Sequence, residues 1–242
     1  MLAVIRKEMK SIIIFILGIL FSSIAISQTV TRDSYCLKGD VKFASDKDFP
    51  AAYNEIWIPN PDTSLNMMIN IQNRYFSQDG IMTNIKYYNR DSLLNMDHRL
   101  IYDKKEKKHV ASYDYNKNNE LTKITKYKIL TLDSLYSETF DNKTGDIIQK
   151  SRTYYKNGLS FLQIFENVES NYSGKYTIKR DKDGNEIEMT IDTKWDNENT
   201  HSVLKYEYLE FDDIGNWTKR IRYSADDKTS GLLTIRRIEY YK

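Results

Sequence analysis

The sequence predicts an all-β fold, an antiparallel meander of repeated strand–turn units forming a large twisted or curled sheet. Three observations predict it. Proline occurs only at Pro50, Pro59 and Pro61, so no later segment lacks a ladder donor. Glycines and Asn/Asp clusters recur at roughly 13 residues, the length of one strand plus a tight turn. Between them the best segments alternate with period two: Ile187, Met189, Ile191, Thr193 and Trp195 against Glu186, Glu188, Thr190, Asp192 and Lys194.

Residues 1–27 have the three parts of a secretory signal peptide. Arg6, Lys7 and Lys10 precede an apolar run from Ile12 to Ile26, and the small residues Ala25 and Ser27 precede a cut before Gln28. The run is shorter than the ~20 residues a spanning helix needs. The expected location is therefore outside the cytoplasm: periplasmic, cell-surface or secreted. Cys36 follows Asp33-Ser34-Tyr35 and lies beyond the apolar run, so no lipoprotein box is present. As the single cysteine, it forms no internal disulfide, and the fold must hold by burial.

Residues 28–65 carry all three prolines. They read as a lead-in segment with a strand near Val41 and an irregular loop, before a strand around Met67 to Tyr75. Residues 66–242 are the meander. Its glycines Gly80, Gly145, Gly158 and Gly184 fall on the repeat grid, and the gaps hold Arg90-Asp91-Ser92, Lys105-Glu106, Lys117-Asn118-Asn119, Asp133-Ser134, Ser170-Asn171 and Asp196-Asn197-Glu198. These residue types favour turns through local side-chain hydrogen bonds and tolerance of positive φ. Near the C-terminus, Trp217, Lys219, Ile221 and Tyr223 alternate with Thr218, Arg220 and Arg222, which predicts one apolar and one wet face. Leu159 to Phe165 is apolar on both faces and is expected to lie deeper.

The units share a plan: an aromatic, an Asp or Asn, a short polar turn, then an apolar residue. Tyr113-Asp114 and Phe211-Asp212 with Gly215-Asn216 carry it most fully. These units resemble the YD-repeat class, related to RHS-type repeats. The opening Leu37-Lys38-Gly39-Asp40-Val41-Lys42 is similar to the start of exported RHS-like proteins of Bacteroidota. The resemblance spans residues 37–242 and implies an extracytoplasmic β-repeat scaffold, with no catalytic residues to carry over. Arg180-Asp181 and Tyr155-Lys156 depart from the Tyr-Asp pair.

Composition and motifs narrow the function. The formal charge of +2 falls to near zero without residues 1–27, so the basic excess of a nucleic-acid binder is missing. His98, His109 and His201 form no HExxH pattern, and no phosphate-binding glycine loop or GxSxG elbow occurs. No cofactor and no metal are expected. Asp91-Ser92-Leu93 and Asp133-Ser134-Leu135 are similar to a short O-glycosylation acceptor, at Ser92 and Ser134. Tyr is abundant at 19, against Phe 9 and Trp 3. Rings on a sheet face stack on sugars or anchor proteins, which makes Trp195, Trp217, Tyr223 and Tyr154 the candidate binding aromatics.

The leading expectation is a non-enzymatic exported scaffold that presents a sheet face to a protein or glycan of the envelope, with an edge-strand dimer open to it. A secreted polymer hydrolase and an outer-membrane β-barrel are the alternatives.

Overall fold

A computed structural model describes residues 31–59, 70–89, 91–131, 133–196 and 198–242. The signal-peptide reading, the part of the expected irregular loop over residues 60–65, the start of the strand expected from Met67, and Arg90 and Asn197 lie outside these. Fifteen strands follow one another: β1 (Val41–Asn54), β2 (Ile56–Pro59), β3 (Ile71–Phe76), β4 (Met82–Tyr88), β5 (Leu94–Asp103), β6 (Lys108–Asn116), β7 (Leu121–Thr131), β8 (Ser134–Asp141), β9 (Ile147–Lys156), β10 (Leu159–Asn167), β11 (Tyr172–Arg180), β12 (Glu186–Trp195), β13 (Glu198–Phe211), β14 (Trp217–Ser224) and β15 (Asp227–Tyr240). From β6 to β11 the strand starts are spaced by roughly 13 residues, as the turn grid predicts. The turns use the expected chemistry. At Asp181, one carboxylate oxygen accepts the backbone N–H groups of Asp183 and Asn185, each at 2.9 Å.

Every neighbouring pair from β3 to β15 is an antiparallel hairpin, and β1 pairs with β3 on one side and β15 on the other. The antiparallel meander that the sequence predicts is therefore closed into a barrel of fourteen staves rather than left as an open sheet. Closure rests on the longest ladder among the described residues, which runs from Val41↔Tyr240 to Ala52↔Ser230. The first and last long strands are thereby joined to each other, and β2 keeps one unpaired edge among the described residues. β2 remains as an extra hairpin arm on β1, entered through Glu55 at φ 61°.

That arm covers part of the outer wall. Trp57 packs on Tyr53 and Tyr223, at centroid distances of 5.1 and 5.4 Å, and its indole N–H donates to Glu207 Oε2 at 3.3 Å. A Cβ on Gly231 would come within 2.9 Å of the Trp57 ring, so the close approach needs glycine there. Ala51, Ile221 and Leu233 are buried in this outer cluster.

The described chain begins as a plug across one end of the barrel. Residues 31–40 make one 3-10 turn at Asp33–Tyr35 and then cross several turns of that end. Arg32 N–H donates to Gly80 O at 3.0 Å. The Cys36 thiol donates to Gly184 O at 3.1 Å. Lys38 N–H donates to Asn216 Oδ1 at 2.6 Å, and Asn216 Nδ2 returns a bond to Lys38 O at 3.0 Å. Gly184 has φ 88°, and a Cβ there would lie 3.0 Å from the Cys36 sulfur. Behind this plug Leu37 is buried with Val41, Phe76, Met82 and Ile85.

Inside the wall one arc is charged. Asp46 on β1 accepts from Arg236 Nε at 2.7 Å and Nη2 at 2.8 Å, and from Arg74 Nη1 at 2.7 Å. All three are buried. Arg236 lies 3.5 Å from the Trp217 ring centroid and Arg220 4.4 Å from it. The alternation on β14 thus points the opposite way from the sequence expectation. Arg220 and Arg222 face inward, where the wall supplies Tyr206, Trp217 and acidic partners, while Ile221 and Tyr223 face outward under the β2 arm.

Candidate functional site

The four aromatics singled out from sequence do not form one patch. Trp217 is 5% exposed and sits among the interior arginines. Tyr223 is held under the β2 arm by Trp57. Trp195 ends β12 with 52% exposure and meets Tyr172 edge-on at 6.3 Å. Tyr154, on the outer face of β9, pairs with Phe161 of β10 at 6.5 Å.

Tyr154 and Tyr172 line one groove from opposite faces of the sheet: Tyr154 from the outer face of β9, and Tyr172 from the inner face, beside Phe165 and Tyr176, at the rim where β10 ends and β11 begins. The groove, of about 990 Å³, crosses β8 to β12, with Tyr136, Tyr154, Ile164 and Tyr172 among its lining residues. Alternation builds it. Tyr136 stands opposite Arg152, and Arg152 opposite Ile164, so these side chains share one face. Phe161 is 39% exposed, Ile164 44% and Val168 44%. The strand expected to lie deep because both its faces are apolar therefore has one open face. Its other face carries Gln163 and Phe165, which are buried.

Hydrogen-bonding groups surround these apolar residues. Lys150, Arg152, Glu166, Asn167, Asn171, Lys194 and Asp196 also line the groove. The Tyr136 hydroxyl donates to Glu138 Oε1 at 2.9 Å. Partial desolvation and this carboxylate both push the Tyr136 phenol up, so it stays a donor at neutral pH. The Tyr172 phenol is likewise pushed up, chiefly by burial. The arrangement offers apolar faces with convergent donors and acceptors, which is binding chemistry.

The other singled-out residues have local roles. His109 is buried against Tyr102, 5.3 Å between ring centroids, with Nε2 3.0 Å from Met82 O. Burial lowers its pKa, so it is neutral and donates that bond. Among the described residues, no group of three His, Cys, Asp or Glu is placed to hold a metal ion. Ser134 is 7% exposed and shares a hydrogen bond with Thr131 at 2.8 Å. Ser92 lies exposed in a turn at φ 59°. Sequence reading missed Tyr136, Ile164 and Tyr172 as groove residues. The signal was present in the two-sided apolar pattern of β10 and the outward alternation of β8 and β9.

No family model and no curated protein matches the chain. Among solved structures it is similar to a chain in the crystal structure of TcdB2-TccC3 without its hypervariable C-terminal region, at 14% identity and a TM-score of 0.28. That match covers 80% of this chain and 12% of the other, so this chain corresponds to a small part of that protein's length.

Proposed function

We propose that this chain is an exported, non-enzymatic β-repeat scaffold of the RHS-like kind whose barrel wall binds a glycan in the groove across β8 to β12. The observation that carries the reading is the juxtaposition, in one open groove, of Tyr136, Tyr154, Ile164 and Tyr172 with Arg152, Glu166, Asn167, Asn171 and Asp196. Sugars present apolar C–H faces and a rim of hydroxyls, and such a groove answers both.

Two features support a polar surrounding for the barrel. Lys175, Lys194, Lys205 and Arg237 are exposed on its staves. A lipid-facing Lys or Arg near a bilayer midplane costs about 2–4 kcal/mol, so this wall is poorly suited to lipid. The plug residues close one end with bonds to Gly80, Gly184 and Asn216, which suits a capped scaffold better than a pore.

The test is a glycan array with the purified protein, followed by calorimetric titration of the best hit. The proposal expects a saturable glycan signal that Tyr154→Ala and Tyr172→Ala each weaken at least tenfold. Trp195→Ala should weaken it less, because Trp195 touches the groove only through Tyr172. An array without signal, or a glycan signal indifferent to Tyr154 and Tyr172, would overturn the reading.

A further inference from the structure

Behind the plug, inside the charged arc, lies a cavity of about 60 Å³. One water needs roughly 10–15 Å³ of such space, so the cavity admits several waters or one small ion. It is distinct from the outer groove, and the inference does not depend on glycan binding.

Its lining carries five arginines, Arg74, Arg180, Arg220, Arg222 and Arg236, against three carboxylates, Asp46, Asp48 and Glu186. Two of the carboxylates are each shared between two arginines. Asp46 bridges Arg74 and Arg236. Glu186 lies 3.2 Å from Arg180 and 3.6 Å from Arg220. The Asp48 carboxyl accepts the Thr234 hydroxyl at 2.7 Å, and burial raises its pKa, opposed by the charge of Arg222. A low-dielectric chamber therefore holds a cationic excess, and uncompensated charge in such a place is costly.

The donors say where the missing charge belongs. Four groups lining the cavity have buried nitrogen atoms with no hydrogen-bond acceptor among the described residues: Arg74 Nε, Arg236 Nη1 and Gln72 Nε2 on buried residues, and Arg220 Nε on a half-buried one. Arg74 and Arg236 are 5% and 6% exposed, and Gln72 is 7% exposed. Buried donors in native proteins have acceptors. Four orphaned donors, three of them cationic, around one small chamber are a built acceptor site.

The geometry points to a small inorganic oxyanion, of the phosphate or sulfate class, held in this chamber by Arg74, Arg220, Arg236 and Gln72. Guanidinium groups suit such anions because their planar N–H forks match oxyanion spacing. The plug residues Ser34, Tyr35 and Cys36 line the same chamber, so the ion would fasten the N-terminal segment to the staves. The small volume selects a free ion over an oxyanion group on a larger molecule.

The test is thermal unfolding and calorimetric titration of the purified chain in sodium phosphate, sodium sulfate and sodium chloride at equal ionic strength. The expected result is a midpoint that rises saturably with millimolar phosphate or sulfate and not with chloride. Arg220→Lys keeps the charge but removes Nε, and it should weaken phosphate binding at least tenfold. Tyr154→Ala should leave it unchanged. Native mass spectrometry of the wild-type chain after phosphate incubation gives a readout that no variant's folding can confound, and a one-to-one oxyanion adduct is expected. Equal midpoints in all three salts, with a bare mass, would overturn the proposal and leave the chamber filled by water. A non-saturating rise seen equally in Arg220→Lys would also overturn it, since excluded salts stabilise any fold in that way.

Discussion

Asp46→Asn should destabilise the protein by about 3–5 kcal/mol, the cost of breaking a buried ion pair from one side. In a chain of this size that lowers the thermal midpoint by roughly 10 °C. The carboxylate sits between Arg236, which grips it through two bonds, and Arg74. Burial alone would raise its pKa, but these two guanidinium groups and their hydrogen bonds outweigh it and hold the carboxyl well below the usual carboxylate range. Asparagine keeps the shape and one acceptor but leaves both arginines facing a neutral partner.

The pH dependence identifies the cause. Asp46 has its folded pKa below its unfolded value near ~3.9, so its contribution is fully present above about pH 4 and fades as the pH falls toward the folded value. The stability gap between wild type and Asp46→Asn should therefore be constant from neutral pH down to about pH 4 and narrow below it. A gap independent of pH throughout the acid range would mean that the variant lost only packing. Chemical denaturation at a series of pH values measures it directly.

Trp217→Ala should cost a similar amount, about 3–5 kcal/mol, through the lost volume of a buried indole. Its ring faces lie against Arg236 at 3.5 Å and Arg220 at 4.4 Å, and desolvated cation–π contacts of this kind contribute about 2 kcal/mol or more. Trp217→Phe, which keeps a smaller aromatic face, should recover part of the loss. The denaturant midpoint should fall while its slope stays unchanged. Glycan binding, measured below the new unfolding midpoint, should not change. A Trp217→Ala protein of wild-type stability would place this ring outside the barrel.

Trp217 also shows where sequence reading stops. The strands were legible because turns and period-two alternation are local: the Asp181 turn and the Met189–Ile191–Thr193 face of β12 lie where their residues predict. The direction of a face is not local. On β14 the arginines looked wet because arginine is usually exposed. They face inward because elements far apart in sequence supply the opposite charge there: Glu186 on β12 beside Arg220, and Asp48 on β1, whose carboxyl feels the charge of Arg222. Bulges in the β13–β14 ladder near Glu210 also shift Trp217 onto the same side as Arg220, which strict alternation forbids. Closure was hidden for a related reason. Nothing local to Val41–Ala52 or Ser230–Tyr240 says that the two strands pair, and long-range pairing is a property of the whole barrel's curvature. The outer groove was half legible, since Tyr154 was named from sequence and Tyr172 was not.

Closure of the barrel by β1 and β15 is the claim on which the interior charge network, the plug and the chamber all depend. Lys47 and Ile235 stand directly opposite each other in that ladder, and both are exposed. Opposed strand residues have Cα separations of about 4.5–5.5 Å, within disulfide range. The measurement is mild oxidation of Lys47→Cys/Ile235→Cys in a Cys36→Ser background, followed by intact-mass and non-reducing analysis of the monomer. The barrel predicts rapid, near-complete formation of one intramolecular disulfide in the folded protein. Folded monomer with two free thiols, or cross-links only between molecules, would show that the edges stand apart and that the sheet is open.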